Sequence, residues 1–257
     1  MKMIYAISIV LLACSPALAG IVTKAVAYKH GDVELEGFLA YNSSLEGKLP
    51  GVLVVHEWWG LNDYARMRAE QLAKLGYVAF ALDMYGKGVN TIDPQEAGRL
   101  ADRFRGKPLM AERARAGLEV LLKQEKVDKN RVAAIGFCFG GTTVLELAYS
   151  GADLKGVVSF HGNPTVPADA SKIRAAVLVL HGADDFFVSD EDIKKFQDAM
   201  REGKVDWTMV CYGGAVHAFT NPDADKAGIK GVAYQEKAAR RSWKHMQVFF
   251  DEILAKK

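Results

Sequence analysis

The sequence predicts an α/β fold, a mainly parallel, doubly wound sheet with helices on both faces, entered through an N-terminal antiparallel hairpin. Three observations point there. Short continuous apolar runs such as Val52-Leu53-Val54-Val55 read as strands covered on both faces. These runs alternate with helix-like stretches, the order that produces parallel pairing and right-handed crossovers. The first two strand-like stretches instead alternate polar and apolar residues and are joined through His30-Gly31-Asp32.

Taken in order, Ile21–Tyr28 and Val33–Tyr41 are the hairpin, and Gly51–His56 is the first buried strand. Asp63 can cap a helix running to about Leu75, which Gly76 stops, and Tyr77–Leu82 is the next strand. A helix follows Asp93-Pro94, and a longer one runs from Met110 to about Lys126. Strand Val132–Ile135 leads through a glycine turn into helix Thr142–Tyr149. Gly156–Phe160 and Ala176–Leu180 are two more buried strands. Glu191–Met200 is amphipathic, with Ile193, Phe196 and Met200 at helical spacing. Trp207–Tyr212 is a strand, and Ala233–Leu254 is a closing helix with Trp243, Met246, Phe249 and Phe250 as its apolar stripe. Nothing in the pattern divides residues 20–257 into two folding units.

Composition narrows the function classes. Of 257 residues half are hydrophobic and 25% charged, which excludes disorder and fibrous architectures. Lys plus Arg is 33 against 31 Asp plus Glu, with no basic stripe, so nucleic acid is not an expected partner. Three Cys cannot build a disulfide framework. Residues 1–19 read as a secretory signal peptide, with Lys2, an apolar core from Ile4 to Ala13 and the cleavage pattern Ala17-Leu18-Ala19. The core is shorter than the roughly 20 residues a membrane span needs, so no stable insertion is expected after cleavage. A periplasmic or secreted protein follows. Lipidation at Cys14 is the alternative.

The chemistry concentrates at Gly136-Phe137-Cys138-Phe139-Gly140-Gly141. This is the nucleophile-elbow pattern G-x-C-x-G between a strand and a helix, with Cys as the nucleophile. Side chains at Gly136 or Gly140 would collide with the crossing backbone. The sulfur would stand at a helix N-terminus, where unpaired N–H groups favour thiolate. An acid and a histidine must follow in that order. Asp184 and Asp185 end the loop after Ala176–Leu180, and Asp185 has the expected spacing; His217 follows Trp207–Tyr212. His217 would be the base and Asp185 would fix its tautomer. His56, His161 and His181 each end a strand and can border the site, but each reads better as a hydrogen-bonded wall residue. Cys211, inside a strand, reads as packing, and no Cys/His spacing predicts a metal or cofactor.

In these motifs, together with His56-Glu57-Trp58-Trp59-Gly60-Leu61-Asn62 and Leu82-Asp83-Met84-Tyr85-Gly86, the chain resembles the dienelactone hydrolase family of α/β-hydrolases from about Thr23 to Ile253. The resemblance implies an α/β-hydrolase fold and a Cys138–His217–Asp185 triad acting on small esters or lactones through an acyl-cysteine. It places Glu57 beside the sulfur as part of its activation, and the backbone N–H groups of Trp58 and Phe139 as the oxyanion hole. Trp59, Tyr85 and His161 are expected in the substrate pocket. Founding members grip a substrate carboxylate with arginines, one shortly after the histidine. Here that stretch reads Ala218-Phe219-Thr220-Asn221, so dienelactone itself is not the expected substrate. Two other functions compete: a non-catalytic small-molecule binding module on the same fold, and a thiol redox protein with Cys211 as resolving partner.

Overall fold

The computed structural model describes residues 20–256; residues 1–19, expected above to be a signal peptide, and with them Cys14, lie outside the described residues. Eight strands form one sheet in the order β1-β2-β4-β3-β5-β6-β7-β8. β1 (Ile21–His30) and β2 (Val33–Asn42) are the antiparallel hairpin, and β2 also runs antiparallel to β4 (Val78–Leu82). The pairs among β4, β3 (Leu49–Val55), β5 (Val127–Phe137), β6 (Gly156–Phe160), β7 (Ala176–Gly182) and β8 (Trp207–Tyr212) are parallel.

Successive side chains of a strand point to opposite faces, and here both faces are filled. Leu53 and Val55 of β3 join one core with α2 (Pro94–Asp102), α3 (Leu109–Leu122), α4 (Phe139–Tyr149) and α5 (Asp190–Glu202). Val52 and Val54 join the other, with α1 (Asp63–Lys74) and α6 (Glu236–Ile253). Fully buried rings such as Phe196 on the first face and Phe250 on the second each contribute roughly 1.5–3 kcal/mol of apolar burial.

Helix ends follow local chemistry. Asn62 caps α1 through Ala65 N–H, and Ser189 with Asp192 forms a reciprocal capping box on α5. Four boundaries differ from the periodicity by three residues or more. α3 stops at Leu122, and β5 begins at Val127 because Leu49 and Pro50 pair with Val127 and Asp128 before the register shifts at Gly51. α6 begins at Glu236, where the Gln235 side chain accepts from Ala238 N–H. α4 begins at Phe139, three residues before the position expected, with Gly140 and Gly141 inside its first turn.

Candidate active site

β5 lies between β3 and β6, and at its carboxyl end the chain passes into α4 within one residue. That residue is Cys138, at φ 54° and ψ −116°, a conformation costing a non-glycine residue about 1–3 kcal/mol. The glycines explain how the turn can be so tight. A Cβ at Gly136 would overlap the Gly140 carbonyl, and one at Gly140 would overlap the Val55 carbonyl of β3. The collision expected from the sequence is therefore with backbone that cannot move aside. The Cys138 N–H donates to Phe160 O at 3.0 Å and leans on His161 Nδ1 at 3.1 Å.

His217 reaches the sulfur from the loop after β8. Its N–H donates to Gly231 O at 3.1 Å and its carbonyl accepts from Ala233 N–H at 3.2 Å, which pins the loop. The ring places Nε2 3.0 Å from Cys138 Sγ, and Nδ1–H donates to Asp185 Oδ2 at 2.8 Å. Asp185 is 3% exposed, whereas neighbouring Asp184 is exposed and turned away. Its other oxygen, Oδ1, accepts from Phe187 N–H at 3.1 Å, so the carboxylate is held from both sides. Burial opposes charge on His217. The Cys138 charge and the hydrogen bonds from Asp185 and Cys138 outweigh it and hold the imidazole well above its usual value. The arrangement can move a proton from sulfur to imidazole and keep it there.

Glu57, Trp58 and Trp59 follow β3 and line the same cavity as Cys138 and Phe139. Glu57 is 2% exposed, and its Oε2 accepts from Asn221 Nδ2 at 2.7 Å. Burial pushes its carboxyl up to about 7, against the Asn221 hydrogen bond and the positive fields of His217 and Arg68. Two buried groups fix the backbone here. His56 Nδ1–H donates to Glu57 O while its Nε2 accepts from Met84 N–H, and Tyr85 Oη–H donates to Trp58 O at 3.0 Å.

Tyr85 and His161, expected in the pocket, do not line it. Tyr85 is packed against His56, Phe104 and Phe139 with its hydroxyl turned to Trp58 O. His161 is fully buried behind the sulfur. Because its Nδ1 accepts from Cys138, its Nε2 carries the proton and donates to Thr220 Oγ1 at 2.7 Å. Thr220 bonds Tyr64 Oη at 2.7 Å, and Arg68 Nη2 donates to Tyr64 Oη and to Thr220 O. Tyr64, Arg68 and Thr220 carry no recognisable motif. The only sequence signal for the two on α1 is their i, i+4 spacing. Cys211, expected to pack, is exposed because β8 is the sheet edge; it lies outside the Cys138 cavity, and both cysteines are free.

The cavity encloses about 850 Å³. Trp58, Trp59, Met110, Phe139 and Phe187 give it apolar walls, and Ile92, 95% exposed, stands on its lining. Its two cations are occupied. Arg105 pairs with Asp102 and Lys226 with Asp223. Among the described residues no cluster of three His, Cys, Asp or Glu side chains is placed to hold a metal, and no helix is long and apolar enough to cross a membrane.

Comparison with known proteins agrees with this architecture. A family model described as "Dienelactone hydrolase family" matches residues 35–254. The solved structure titled "m3DLH" is 43% identical, with a TM-score of 0.89 over 92% of this chain and all of the other. A dienelactone hydrolase-like promiscuous phosphotriesterase from metagenomic libraries is 42% identical, with a TM-score of 0.88 and the same coverage. "Protein usf" of Aquifex pyrophilus is 28% identical over 236 residues, 89% of this chain and 98% of that protein.

Proposed function

The chain belongs to the dienelactone hydrolase family, and we propose that it hydrolyses small esters or lactones through an acyl-cysteine formed on Cys138. The observation that carries this reading is the 3.0 Å approach of His217 Nε2 to Cys138 Sγ, with Asp185 bonded to the far side of the ring.

The steps follow from the geometry. His217 Nε2 takes the sulfur's proton, and the thiolate attacks the substrate carbonyl carbon. The carbonyl π electrons move to oxygen, and the N–H groups of Trp58 and Phe139 receive that oxyanion. Each such donor is typically worth about 10²–10³ in rate. Collapse expels the alcohol oxygen, which takes the proton from imidazolium and leaves a thioester on Cys138. His217 then deprotonates water, hydroxide attacks the thioester, the acid departs, and the proton returns to sulfur. Asp185 keeps its hydrogen bond to Nδ1–H and so stabilises the imidazolium. Glu57 modulates the sulfur: ionised, it opposes thiolate by repulsion; protonated or displaced, it does not.

A second reading comes from one relative, whose title names a promiscuous phosphotriesterase. The same thiolate can attack phosphorus in a neutral triester, expelling an aryloxide. The competing redox function lacks support, since Cys211 lies apart from the cavity that holds Cys138. Export rests on residues 1–19 and predicts a mature N-terminus at Gly20, read by N-terminal sequencing of protein recovered from the periplasm or medium.

The test is Cys138→Ala. It should abolish turnover of p-nitrophenyl acetate, while wild type briefly exposed to the ester should carry the acetyl mass on the Cys138 peptide. Full activity in the variant would refute the proposal, and binding without product in wild type would favour a binding module.

A further inference from the structure

We propose that this cavity selects uncharged substrates with bulky apolar groups and rejects those carrying a carboxylate near the scissile bond, and that Glu57, anchored by Asn221, sets the selection. The inference rests on the hydrolase reading above and adds the substrate class.

The argument starts from what Glu57 lacks. Its carboxyl group is buried, its residue lines the cavity that holds the reacting sulfur, and its side-chain partner is the neutral amide of Asn221. An amide fixes the carboxylate's position without cancelling its charge. Among the described residues no Lys or Arg forms an ion pair with it, and the nearby Arg68 guanidinium is committed to Gln71, Tyr64 and Thr220. A substrate bound for attack by Cys138 therefore shares the cavity with an acid that has no ion-pair partner and is eased only by the fields of His217 and Arg68.

Apart from the His217 imidazole, which the sulfur engages, the cations on the wall are already paired. Arg105 is tied to Asp102 and Lys226 to Asp223, itself on the lining, and Glu146 adds a third lining carboxyl group, which accepts from Thr165. The one guanidinium on the wall, Arg105, already holds Asp102 through Nη1, so bidentate capture of a substrate carboxylate would compete with that pair. The remaining surface is mainly apolar, with Trp58, Trp59, Met110 and Phe187 among its walls, around a volume near the upper end for small-molecule sites. It fits a bulky apolar acyl or alcohol group and is far larger than an acetate ester fills.

The test compares kcat/KM at pH 8 for two near-isosteric esters, p-nitrophenyl pentanoate and the mono-p-nitrophenyl ester of glutaric acid. Two like charges a few ångströms apart in a partly buried site predict a preference for the neutral ester on the order of 100-fold. Glu57→Gln should shrink that ratio about tenfold, because the amide keeps the shape and loses the charge. Asp223→Asn frees Lys226 at an exposed part of the wall and should raise kcat/KM for the anionic ester a few-fold. A wild-type ratio within about threefold of one, or an unchanged ratio in Glu57→Gln, would overturn the selection. Should Glu57→Gln prove unfolded or inactive, an unchanged ratio in Asp223→Asn would overturn it. Full activity in Cys138→Ala would instead sink the hydrolase reading, and the selection with it.

Discussion

His161 Nδ1 accepts the backbone N–H of Cys138 at 3.1 Å, so the strained residue at the elbow rests on an imidazole that never meets the cavity. The bond requires a neutral ring. Burial, with the charges of His217 and Arg68, keeps His161 well below the usual histidine value, so the acceptor is present at any working pH. The ring's other nitrogen is committed to Thr220, and through it to Tyr64 and Arg68.

His161→Leu should therefore lower kcat by roughly 10–100-fold with little change in KM, since the sulfur loses its aim while the cavity wall is untouched. His161→Asn should recover much of the loss. An Asn side chain places an acceptor near the Nδ1 position and tolerates the left-handed φ of 40° found there. Equal damage from both variants would mean the ring serves only to fill space.

The proton balance at His217 gives a titration test. In the native protein, the Cys138 charge and the hydrogen bonds from Asp185 and Cys138 overcome burial and keep the imidazole protonated above its usual value. Its proton leaves only as pH rises past that raised value. Cys138→Ala removes both sulfur contributions, so the His217 value should fall, as read by histidine ring NMR. A value unchanged by the substitution would break the sulfur–imidazole coupling.

Glu57 should tax stability in a pH-dependent way. Its folded value, about 7, lies above the usual 4.5, so between those limits the folded state binds more protons than the unfolded one. Stability is thus lost as pH rises through that window, by about 3 kcal/mol once Glu57 is ionised. Glu57→Gln should raise the Tm by several degrees at pH 8 and barely at pH 4. An equal gain at both would place the effect elsewhere.

Gly140→Ala probes the elbow's backbone contact. The added methyl meets the Val55 and His56 carbonyls, which the sheet holds in place, so the variant should lose at least about 2 kcal/mol in urea unfolding. Iodoacetamide labelling of Cys138 should slow in parallel.

Much of this architecture was legible because its signals are local. Val52–Val55 and Gly156–Phe160 read as buried strands since both faces of the sheet are covered, and the Gly136–Gly141 run demands a tight turn wherever it occurs. The start of α4 was not legible. Glycines usually break helices, yet Gly140 and Gly141 open this one because only they clear β3 and Gly162. Trp207–Tyr212 looked fully buried, but its place at the sheet edge leaves Cys211 exposed, and edge position is not encoded in the strand's own residues. Tyr85 is expected in the pocket from a family motif and His161 from its place at a strand end. Which side of a strand end faces the cavity depends on how the following turn bends.

The sheet also separates two tasks. The cavity borrows Met110 and Phe139 from the layer of α2 to α5, whereas the chain from His161 to Arg68 ends on α1, in the opposite layer. Descendants of this protein can remodel the ligand-facing layer toward new chemistry while the hidden scaffold keeps the reactive atom on target. Drift at Tyr64 or Arg68, neither of them on the cavity lining, would disable every such specialisation at once.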